Sequence, residues 1–253
     1  MMLARLRALH PGSSIPRILF YAVCLRAARL ALRVFFRVRW IDCDDVPASG
    51  PLLIVANHQS YLDPPLVSTG ILHRHIDFIA RAGLFRNRFF GWLIGTLNAI
   101  PITEQGSDTA AIKATLDRLA TGRAVLLFPE GSRTHDGAME SFKRGVAVLV
   151  KRAKCPVLPA AIEGAYDAWP RGSAAPSFKC RIAVRFGRPI PHDELMAAGP
   201  DAALRRLERE IDAMRLDLRA EIRRRTNGRC PAPGPADAPA FGEALDQTIP
   251  DAE

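Results

Sequence analysis

The sequence lacks paired cysteines, spaced metal ligands and a Gly-x-Ser-x-Gly nucleophile motif. Its five cysteines are scattered, odd in number and without a Cys-x-x-Cys spacing: Cys24, Cys43, Cys155, Cys180 and Cys230. This distribution argues against a disulfide framework or a zinc site, and it indicates a reducing compartment. His73 and His75 have no further ligands at a metal-binding spacing. A structural metal and a covalent serine intermediate are therefore not predicted.

Long apolar runs are also absent. The run from residue 18 to residue 25 ends at Arg26, well short of the roughly 20 residues that a membrane-spanning helix needs. No small-residue cleavage pattern follows it, so a secretory signal is not indicated. Residues 89–102 carry no charge but are again too few to cross a bilayer. They predict a core helix followed by a strand.

Acidic residues are outnumbered by basic ones. The formal net charge is +9 and the pI about 9.9, which favours an anionic partner. A nucleic acid is not favoured, because no basic surface with interleaved aromatic residues and no recognised nucleic-acid module is present. The last twenty residues contain no Lys or Arg. Prolines among alanines after residue 229 predict a disordered tail over 229–253.

Residues 1–40 predict an amino-terminal helical segment with a basic stripe. Arg26, Arg29, Arg33 and Arg37 recur at steps of three and four, and leucine, valine and phenylalanine fill the remaining surface up to Trp40. This pattern is typical of a helix that lies in a membrane interface. An ordinary surface helix packed on the domain, with its arginines in water, is the alternative.

Between residues 41 and 228, strand-like and helical segments alternate. This order predicts an α/β domain with a mainly parallel sheet flanked by helices, closed by a helix over 201–227 whose charged side is solvated. Residues 181–186 alternate in polarity and predict an edge strand. Ligands of such sheets bind at the carboxyl ends of strands. His58 and the loop containing Glu130 and Arg133 both follow predicted strands.

His58 and Asp63 are the candidate reactive pair. Asp63 precedes Pro64 and predicts a helix N-cap, so a bend between the two residues lets them meet. An imidazole held by a carboxylate suits general-base chemistry on a hydroxyl. Arg133 presents paired donors that suit a phosphate. A surface histidine beside a capping aspartate, and an arginine paired with Glu130 or Asp136, are the alternatives.

Two ordered motifs resemble the glycerolipid acyltransferase family. Asn57-His58-Gln59-Ser60-Tyr61-Leu62-Asp63 matches the family pattern NHxxxxD, and Phe128-Pro129-Glu130-Gly131-Ser132-Arg133 matches FPEGTR with Ser132 in place of threonine. The segment 157–162, which contains Pro159, is similar to a further family pattern. The likeness covers roughly residues 40 to 195 and is greatest to bacterial 1-acyl-sn-glycerol-3-phosphate acyltransferases.

The resemblance implies direct transfer of an acyl group from acyl-CoA or acyl carrier protein to the hydroxyl of a lysophospholipid, without a cofactor or a metal. His58 would be the general base and Asp63 its orienting partner. Arg133 would hold phosphate within the Glu130–Gly131–Ser132–Arg133 loop, where Glu130 shapes the loop or contacts the glycerol. Asn57 and Pro159 would support the site. The resemblance and the basic helix together predict a peripheral protein on the cytoplasmic face of the bacterial inner membrane.

One family position departs from the pattern. Members carry an arginine shortly after an Ile-Pro-Ile segment, whereas here Ile100-Pro101-Ile102 is followed by Thr103 and Glu104. Arg81 is the residue that would compensate for the missing cation. The departure leaves another acceptor open, such as a lyso-ornithine lipid or a lysophospholipid with a larger head group. A non-catalytic membrane-binding protein of the same fold is the other alternative. If residues 89–102 instead formed a wall for the acyl chain, Gly91 and Gly95 would leave groove space.

Overall fold

A computed structural model describes residues 12–102 and 108–241 of the chain. Its strands are Arg39–Ile41 (β1), Leu52–Ala56 (β2), Ile76–Arg81 (β3), Ala99–Ile102 (β4), Ala124–Leu127 (β5), Val157–Glu163 (β6) and Ala183–Phe186 (β7). They form one sheet in the order β1-β7-β6-β2-β5-β3-β4. Every neighbouring pair is parallel except β6 with β7. The predicted mainly parallel α/β sheet is therefore confirmed.

The helices connect these strands and cover both faces of the sheet. Their bounds are Ile15–Phe35 (α1), Asp63–Gly70 (α2), Arg88–Thr96 (α3), Asp108–Ala120 (α4), Gly145–Ala153 (α5), Ala165–Ala168 (α6), His192–Met196 (α7) and Pro200–Arg225 (α8), with 3-10 turns at Ala82–Phe85 and Pro235–Asp237. The central strand β2 is buried on both sides. Leu52 and Ile54 lie in the core under α1 and α2, and Leu53 and Val55 lie in the core under α5 and α8. Alternate strand residues point to opposite faces, so two helical layers bury the whole strand.

The amino-terminal helix packs on the domain and still leaves apolar residues in solvent. Ile18, Tyr21, Leu25 and Leu32 are buried, while a second set on α1 is exposed: Leu19, Val23, Leu30, Val34 and Phe35. The predicted continuation of the basic stripe to Arg37 is wrong, because the helix ends at Phe35 and Arg37 has a φ of 50°. No helix among the described residues is long and apolar enough to cross a membrane.

The strand predicted at 181–186 is not an edge strand. β7 pairs with β6 on one side and with β1 on the other, where Trp40 lies opposite Val184. The prediction was wrong because β1 has only three residues. In the sequence, Arg39 and Trp40 continue the pattern of the predicted amino-terminal helix, and three residues are too few for a strand period to appear.

Residues 89–102 form the predicted helix and strand, as α3 and β4, but the helix is not a core helix. Phe89, Phe90 and Trp92 are 71%, 43% and 57% exposed. A Cβ on Gly91 would lie 2.9 Å from the Phe85 backbone, whereas one on Gly95 would meet only the Phe85 ring edge at 3.8 Å. Gly91 therefore permits close packing of α3 on the 3-10 turn before it.

The last helix is packed through its predicted apolar stripe, but its charged side is not fully solvated. Leu207, Ile211, Leu218 and Ile222 are buried in the core, and Arg215 has no exposed surface. Arg215 Nη1 donates to the Ala236 carbonyl at 2.7 Å. The prediction of disorder from residue 229 is therefore wrong for residues 229–241, which pack on α8. Residues 242–253 lie outside the described residues.

The expectation of no disulfide is also wrong. Cys180, in the segment before β7, is bonded to Cys230, which follows α8. The two cysteines are separated by 50 residues, so their spacing along the chain gave no signal. The fold brings them together because α8, which Cys230 follows, packs on β6 and β7, and Cys180 lies just before β7.

Candidate active site

The His58 turn is built at the carboxyl end of the central strand. Strand β2 ends at Ala56, α2 begins at Asp63, and the chain reverses between them. His58 Nδ1 lies 2.7 Å from Asp63 Oδ2. The Asp63 side chain is fully buried, and the His58 side chain keeps 19% of its surface exposed. The predicted meeting of the two residues across a bend is present, with the imidazole at the surface and its carboxylate beneath it.

Asp63 is not the helix N-cap that the sequence predicts. It is the first residue of α2, and the N-cap position belongs to Leu62. Its Oδ2 turns back to accept hydrogen bonds from the Gln59 and Ser60 backbone N–H groups at 2.6 Å and 2.7 Å. One carboxylate oxygen therefore orients the imidazole and also closes the turn that carries it.

A second carboxylate joins the two motif loops. Glu130 follows β5, the neighbour of β2, and its Oε1 accepts the His58 backbone N–H at 2.6 Å. Its Oε2 accepts the Glu140 N–H at 3.0 Å. Burial raises the pKa of Glu130 to about 8, although the two backbone donors favour the ionised form. Glu130 thus shapes the loop through two backbone hydrogen bonds.

The imidazole of His58 is also fixed by packing. Its ring stacks on Phe128 with a centroid distance of 4.1 Å and an interplanar angle of 15°. Thr134 N–H donates to the His58 carbonyl at 2.9 Å. Contacts on the ring, on the backbone and at Nδ1 leave one face of the imidazole and Nε2 as its chemically available part.

The Arg133 guanidinium contacts the motif that carries His58 and Asp63. Its guanidinium carbon is 3.5 Å from the centroid of the Tyr61 ring, a cation–π contact that links the two motifs. Among the described residues, the buried Arg133 Nη1 has no hydrogen-bond partner. The alternatives of pairing with Glu130 or Asp136 are not realised, because Glu130 binds backbone N–H groups and Asp136 accepts from Thr134 and Ala138.

Gly131 makes room for a lysine that the sequence patterns did not single out. Gly131 has a φ of +74°, and a Cβ there would lie 2.3 Å from Lys143 Cε and 2.6 Å from Nζ. Only glycine meets both requirements at once. The Lys143 ammonium therefore crosses the same loop that carries Arg133. Ser132 lies half-buried between Gly131 and Arg133.

The remaining predicted residues occupy three different positions. Arg81 is exposed at the end of β3, two strands from β2 at the same sheet edge. Asn57 exchanges two hydrogen bonds with the Ile162 backbone, at 2.9 Å and 2.8 Å, and so ties the end of β2 to β6. Pro159 lies within β6 opposite Val55 of β2. Glu104 lies outside the described residues.

Gln59 and Glu163 are further site-associated residues that sequence reasoning missed. Gln59 is buried under the His58 turn, and its Nε2 donates to Glu163 Oε2 at 3.0 Å. Gln59 Oε1 accepts from the backbone N–H groups of Ala165 and Tyr166. The motif treats position 59 as variable, so only the tertiary contacts reveal it.

These features define a class of protein: an α/β fold with an Asp-oriented imidazole and cationic side chains at the carboxyl edge of a parallel sheet. A family model described as Acyltransferase matches residues 37–163. The chain belongs to this family, and it is an acyltransferase similar to 1-acylglycerol-3-phosphate acyltransferases.

Individual relatives agree with the family assignment. The 1-acyl-sn-glycerol-3-phosphate acyltransferase of Bacillus subtilis is 25% identical over 205 residues, covering 77% of this chain and 100% of that protein. The enzyme of the same name from Pseudomonas aeruginosa is 30% identical over 198 residues, covering 77% and 72%. The chain spans about half the length of similar chloroplast enzymes from plants. The crystal structure of the 1-acyl-sn-glycerophosphate acyltransferase of Thermotoga maritima shares the fold, with a TM-score of 0.55, 24% identity and coverage of 76% and 86%.

Proposed function

We propose that the enzyme transfers an acyl group from acyl-CoA or acyl carrier protein to the free hydroxyl of 1-acyl-sn-glycerol-3-phosphate, giving phosphatidic acid. The observation that carries the proposal is the contact between His58 Nδ1 and buried Asp63 Oδ2. Because an ionised carboxylate only accepts, Nδ1 carries the hydrogen and the Nε2 lone pair is available as a base. This tautomer is assigned from the hydrogen bond.

The reaction then follows from one proton transfer and its reversal. His58 Nε2 removes the proton from the acceptor hydroxyl as its oxygen attacks the thioester carbonyl, and Asp63 stabilises the imidazolium that forms. Collapse of the tetrahedral intermediate breaks the carbon–sulfur bond, and the imidazolium returns the proton to the departing thiolate. The products are an oxygen ester and a free thiol, and His58 is neutral again.

The cationic side chains of the Glu130 loop support a phosphate-bearing acceptor. Within the described part of the chain, Arg133 Nη1 has no hydrogen-bond partner, and the Lys143 ammonium crosses the same loop at Gly131. Guanidinium forks and ammonium charges are the usual phosphate ligands. Arg81 is exposed at the carboxyl end of β3, which neighbours β5 on the side away from β2. It would add a third positive charge there. In this arrangement the cationic surface is built without the arginine that Glu104 replaces.

Glu104 supports a second class of acceptor lipid. A carboxylate in a phosphate subsite would repel lysophosphatidate and would favour a lyso-lipid with a cationic or larger head group, such as a lyso-ornithine lipid. The two classes are separated by an acceptor screen. A non-catalytic protein would consume no thioester with either class.

The exposed apolar residues of α1 and α3 support attachment at an anionic membrane surface. Leu19 and Val23 of α1 are exposed, as are Phe89, Phe90 and Trp92 of α3, and the rings of Phe20 and Trp92, 5.8 Å apart, bring the two helices into contact. We call these five exposed residues the apolar face. The segments that carry it also have exposed arginines, at positions 26 and 33 of α1 and at positions 86 and 88, just before and at the start of α3. Apolar side chains bordered by arginines are typical of interfacial binding, and we infer peripheral attachment to the cytoplasmic face of the inner membrane.

The test is a purified-enzyme acceptor screen that measures thiol release from acyl-CoA. Lysophosphatidate, neutral and zwitterionic lysophospholipids and lyso-ornithine lipid are compared, and we expect preference for lysophosphatidate. His58→Ala is expected to lose about 10²–10⁴-fold in kcat, the usual contribution of a general base. His192→Ala is the matched control, because His192 also pairs with an adjacent carboxylate, Asp193, at 3.1 Å but lies away from the site. An unchanged rate in folded His58→Ala would refute the mechanism.

A further inference from the structure

A buried ionic cluster lies directly beneath the His58 turn, and the mechanism above does not use it. Its centre is Glu163, the last residue of β6, which has no exposed surface. Glu163 Oε1 accepts from Arg219 Nη1 at 2.6 Å, and Arg215 Nη1 lies 3.8 Å from Oε2. The same Oε2 accepts from Gln59 Nε2 at 3.0 Å. One carboxylate therefore connects α8 to the motif that carries His58.

Gln59 transmits the position of Glu163 to the reactive pair. Its side-chain amide is held at the nitrogen by Glu163 and at the oxygen by the backbone of α6. Its backbone N–H donates to Asp63 Oδ2 at 2.6 Å, the oxygen that also contacts His58 Nδ1. A shift of Gln59 would therefore move the hydrogen bond that fixes the Asp63 carboxylate.

Residues 229–241, which we call the carboxyl-terminal clasp, hold the far side of the cluster. Arg219 Nε donates to Asp237 Oδ1 at 2.6 Å, and Arg219 Nη2 donates to the Ala232 carbonyl at 2.7 Å. The clasp is bound near its start by the disulfide between Cys230 and Cys180. Near its end, the Ala240 N–H donates to Asp212 Oδ2 at 2.7 Å. The clasp thus saturates the arginines that in turn hold Glu163.

Stability alone is a weak reason for such a cluster. Buried ion pairs lose in desolvation much of what they gain in attraction, and apolar residues of similar size often serve as well. An apolar residue at position 163, however, would leave Gln59 Nε2 with only its longer contact to the Gly137 carbonyl, at 3.4 Å. Unlike an apolar residue, the Glu163 carboxylate fixes the orientation of the Gln59 side chain through a directional hydrogen bond.

We propose that Glu163 is a positioning residue for the acyl-transfer reaction: held by Arg219 and the clasp, it fixes Gln59 and, through the Gln59 N–H, the Asp63 carboxylate that orients His58. The kcat measurements below rest on the proposed function. The proposal concerns the geometry of His58, however, so a His58 chemical shift measured without substrate tests it as well.

The experiment compares Glu163→Gln and Asp237→Asn with Glu221→Gln in the full-length enzyme. Glu221 of α8 is the matched control, because its carboxylate also binds two arginines, Arg39 and Arg225, and none of its contacts among the described residues reaches His58. We expect kcat to fall about 10- to 100-fold in Glu163→Gln and about 2- to 10-fold in Asp237→Asn, with KM nearly unchanged. Glu221→Gln should keep the wild-type kcat.

A second arm asks whether the effect passes through Gln59. In a Gln59→Ala background, Glu163→Gln should lower kcat by less than about twofold further, because the connection is already broken. A third arm records the imidazole nitrogen chemical shifts of labelled protein without substrate, with the His58 signal identified by its loss in His58→Ala. The His58 Nδ1 signal should move in Glu163→Gln and Asp237→Asn and stay in place in Glu221→Gln.

The outcomes are separable. If Glu163→Gln fails to fold, Asp237→Asn decides, since its side chain is 33% exposed at the clasp. A wild-type kcat together with an unmoved His58 signal in Asp237→Asn would overturn the proposal, as would a drop in thermal stability alone. If the wild-type enzyme consumes no thioester, the proposed function fails while the His58 signal still tests the positioning role.

Discussion

At the scale of single residues, two carboxylates organise the site by binding backbone N–H groups. Asp63 accepts from Gln59 and Ser60, and Glu130 accepts from His58 and Glu140. Each acidic side chain accepts two backbone N–H groups, so each loop takes its shape from one side chain. The sequence identified both acids through the motifs, but it assigned Asp63 to a helix cap and left the partner of Glu130 open.

The raised pKa of Glu130 gives a prediction for stability against pH. Because burial raises this pKa from 4.5 to about 8, the folded enzyme holds a proton that the unfolded chain has already released. The contribution of protonated Glu130 to the free energy of unfolding is complete below the unfolded pKa and is lost as pH rises through the folded one. The wild-type stability relative to Glu130→Gln should therefore fall between about pH 5 and about pH 9 in urea unfolding.

Glu221→Gln is the control for this experiment. Burial acts to raise the pKa of Glu221, but hydrogen bonds from Arg39 and Arg225 outweigh it and lower the pKa overall. A carboxylate with a lowered pKa contributes to the stability of the folded state at every pH above its unfolded pKa. This contribution is lost only as pH falls below that value. The stability difference between wild type and Glu221→Gln should stay constant over the same window. If the stability difference between wild type and Glu130→Gln were equally independent of pH, the raised pKa of Glu130 would be contradicted.

At the scale of elements, α3 shows how a sequence pattern identifies an element but not its environment. The uncharged stretch correctly predicted a helix and a strand, yet most of the helix surface faces solvent. Hydrophobicity alone does not distinguish a core helix from an interfacial one. The close approach of Gly91 to Phe85 is what fixes α3 against the 3-10 turn.

The two glycines of α3 provide a matched pair for this element. Gly91→Ala would place a methyl group 2.9 Å from the Phe85 backbone, and overpacking against backbone costs about 1–3 kcal/mol. Gly95→Ala meets only a ring edge at 3.8 Å and should be neutral or should stabilise by up to about 1 kcal/mol through helix propensity. Chemical denaturation measures both. Equal effects of the two substitutions would show that the contact with Phe85 is unimportant.

At the scale of the whole molecule, the candidate site and the apolar face lie on different parts of the surface. The site lies at the carboxyl ends of the strands, and the apolar face lies on α1 and α3. The carboxyl ends of β2, β3 and β5 carry His58, Arg81 and the Glu130 loop. The apolar face combines residues of α1 and α3, two helices far apart in sequence. A peripheral enzyme that acts on lipids needs both features to meet the same membrane.

The apolar face predicts membrane binding that can be measured without catalysis. Val23→Ser should weaken binding to vesicles of phosphatidylcholine and phosphatidylglycerol, and Trp92→Ser should weaken it by about tenfold, because each removes apolar surface from the interface. Val148→Ser is the matched control, since Val148 is 49% exposed on α5, on the opposite face of the sheet. Vesicle cosedimentation is the measurement. Equal loss for Val23→Ser and Val148→Ser would exclude a specific face.

The sequence by itself determined the α/β class, most helices and strands, and the two motifs that meet at the sheet edge. It could do so because apolar periodicity, turn residues and strand-end positions are local signals. His58, Asp63, Glu130 and Arg133 were identified by their strand-end positions together with the resemblance of the two motifs to a known family, and they lie together in the fold.

Only the tertiary structure decided the remaining features. It paired β1 with β7, joined Cys180 to Cys230 and folded residues 229–241 onto α8. It also buried Arg215 and Arg219 against Glu163, where the helix pattern predicted a solvated side. These contacts join residues that are distant along the chain. Their free energy depends on which surfaces the packed helices bring together, and no local pattern encodes that.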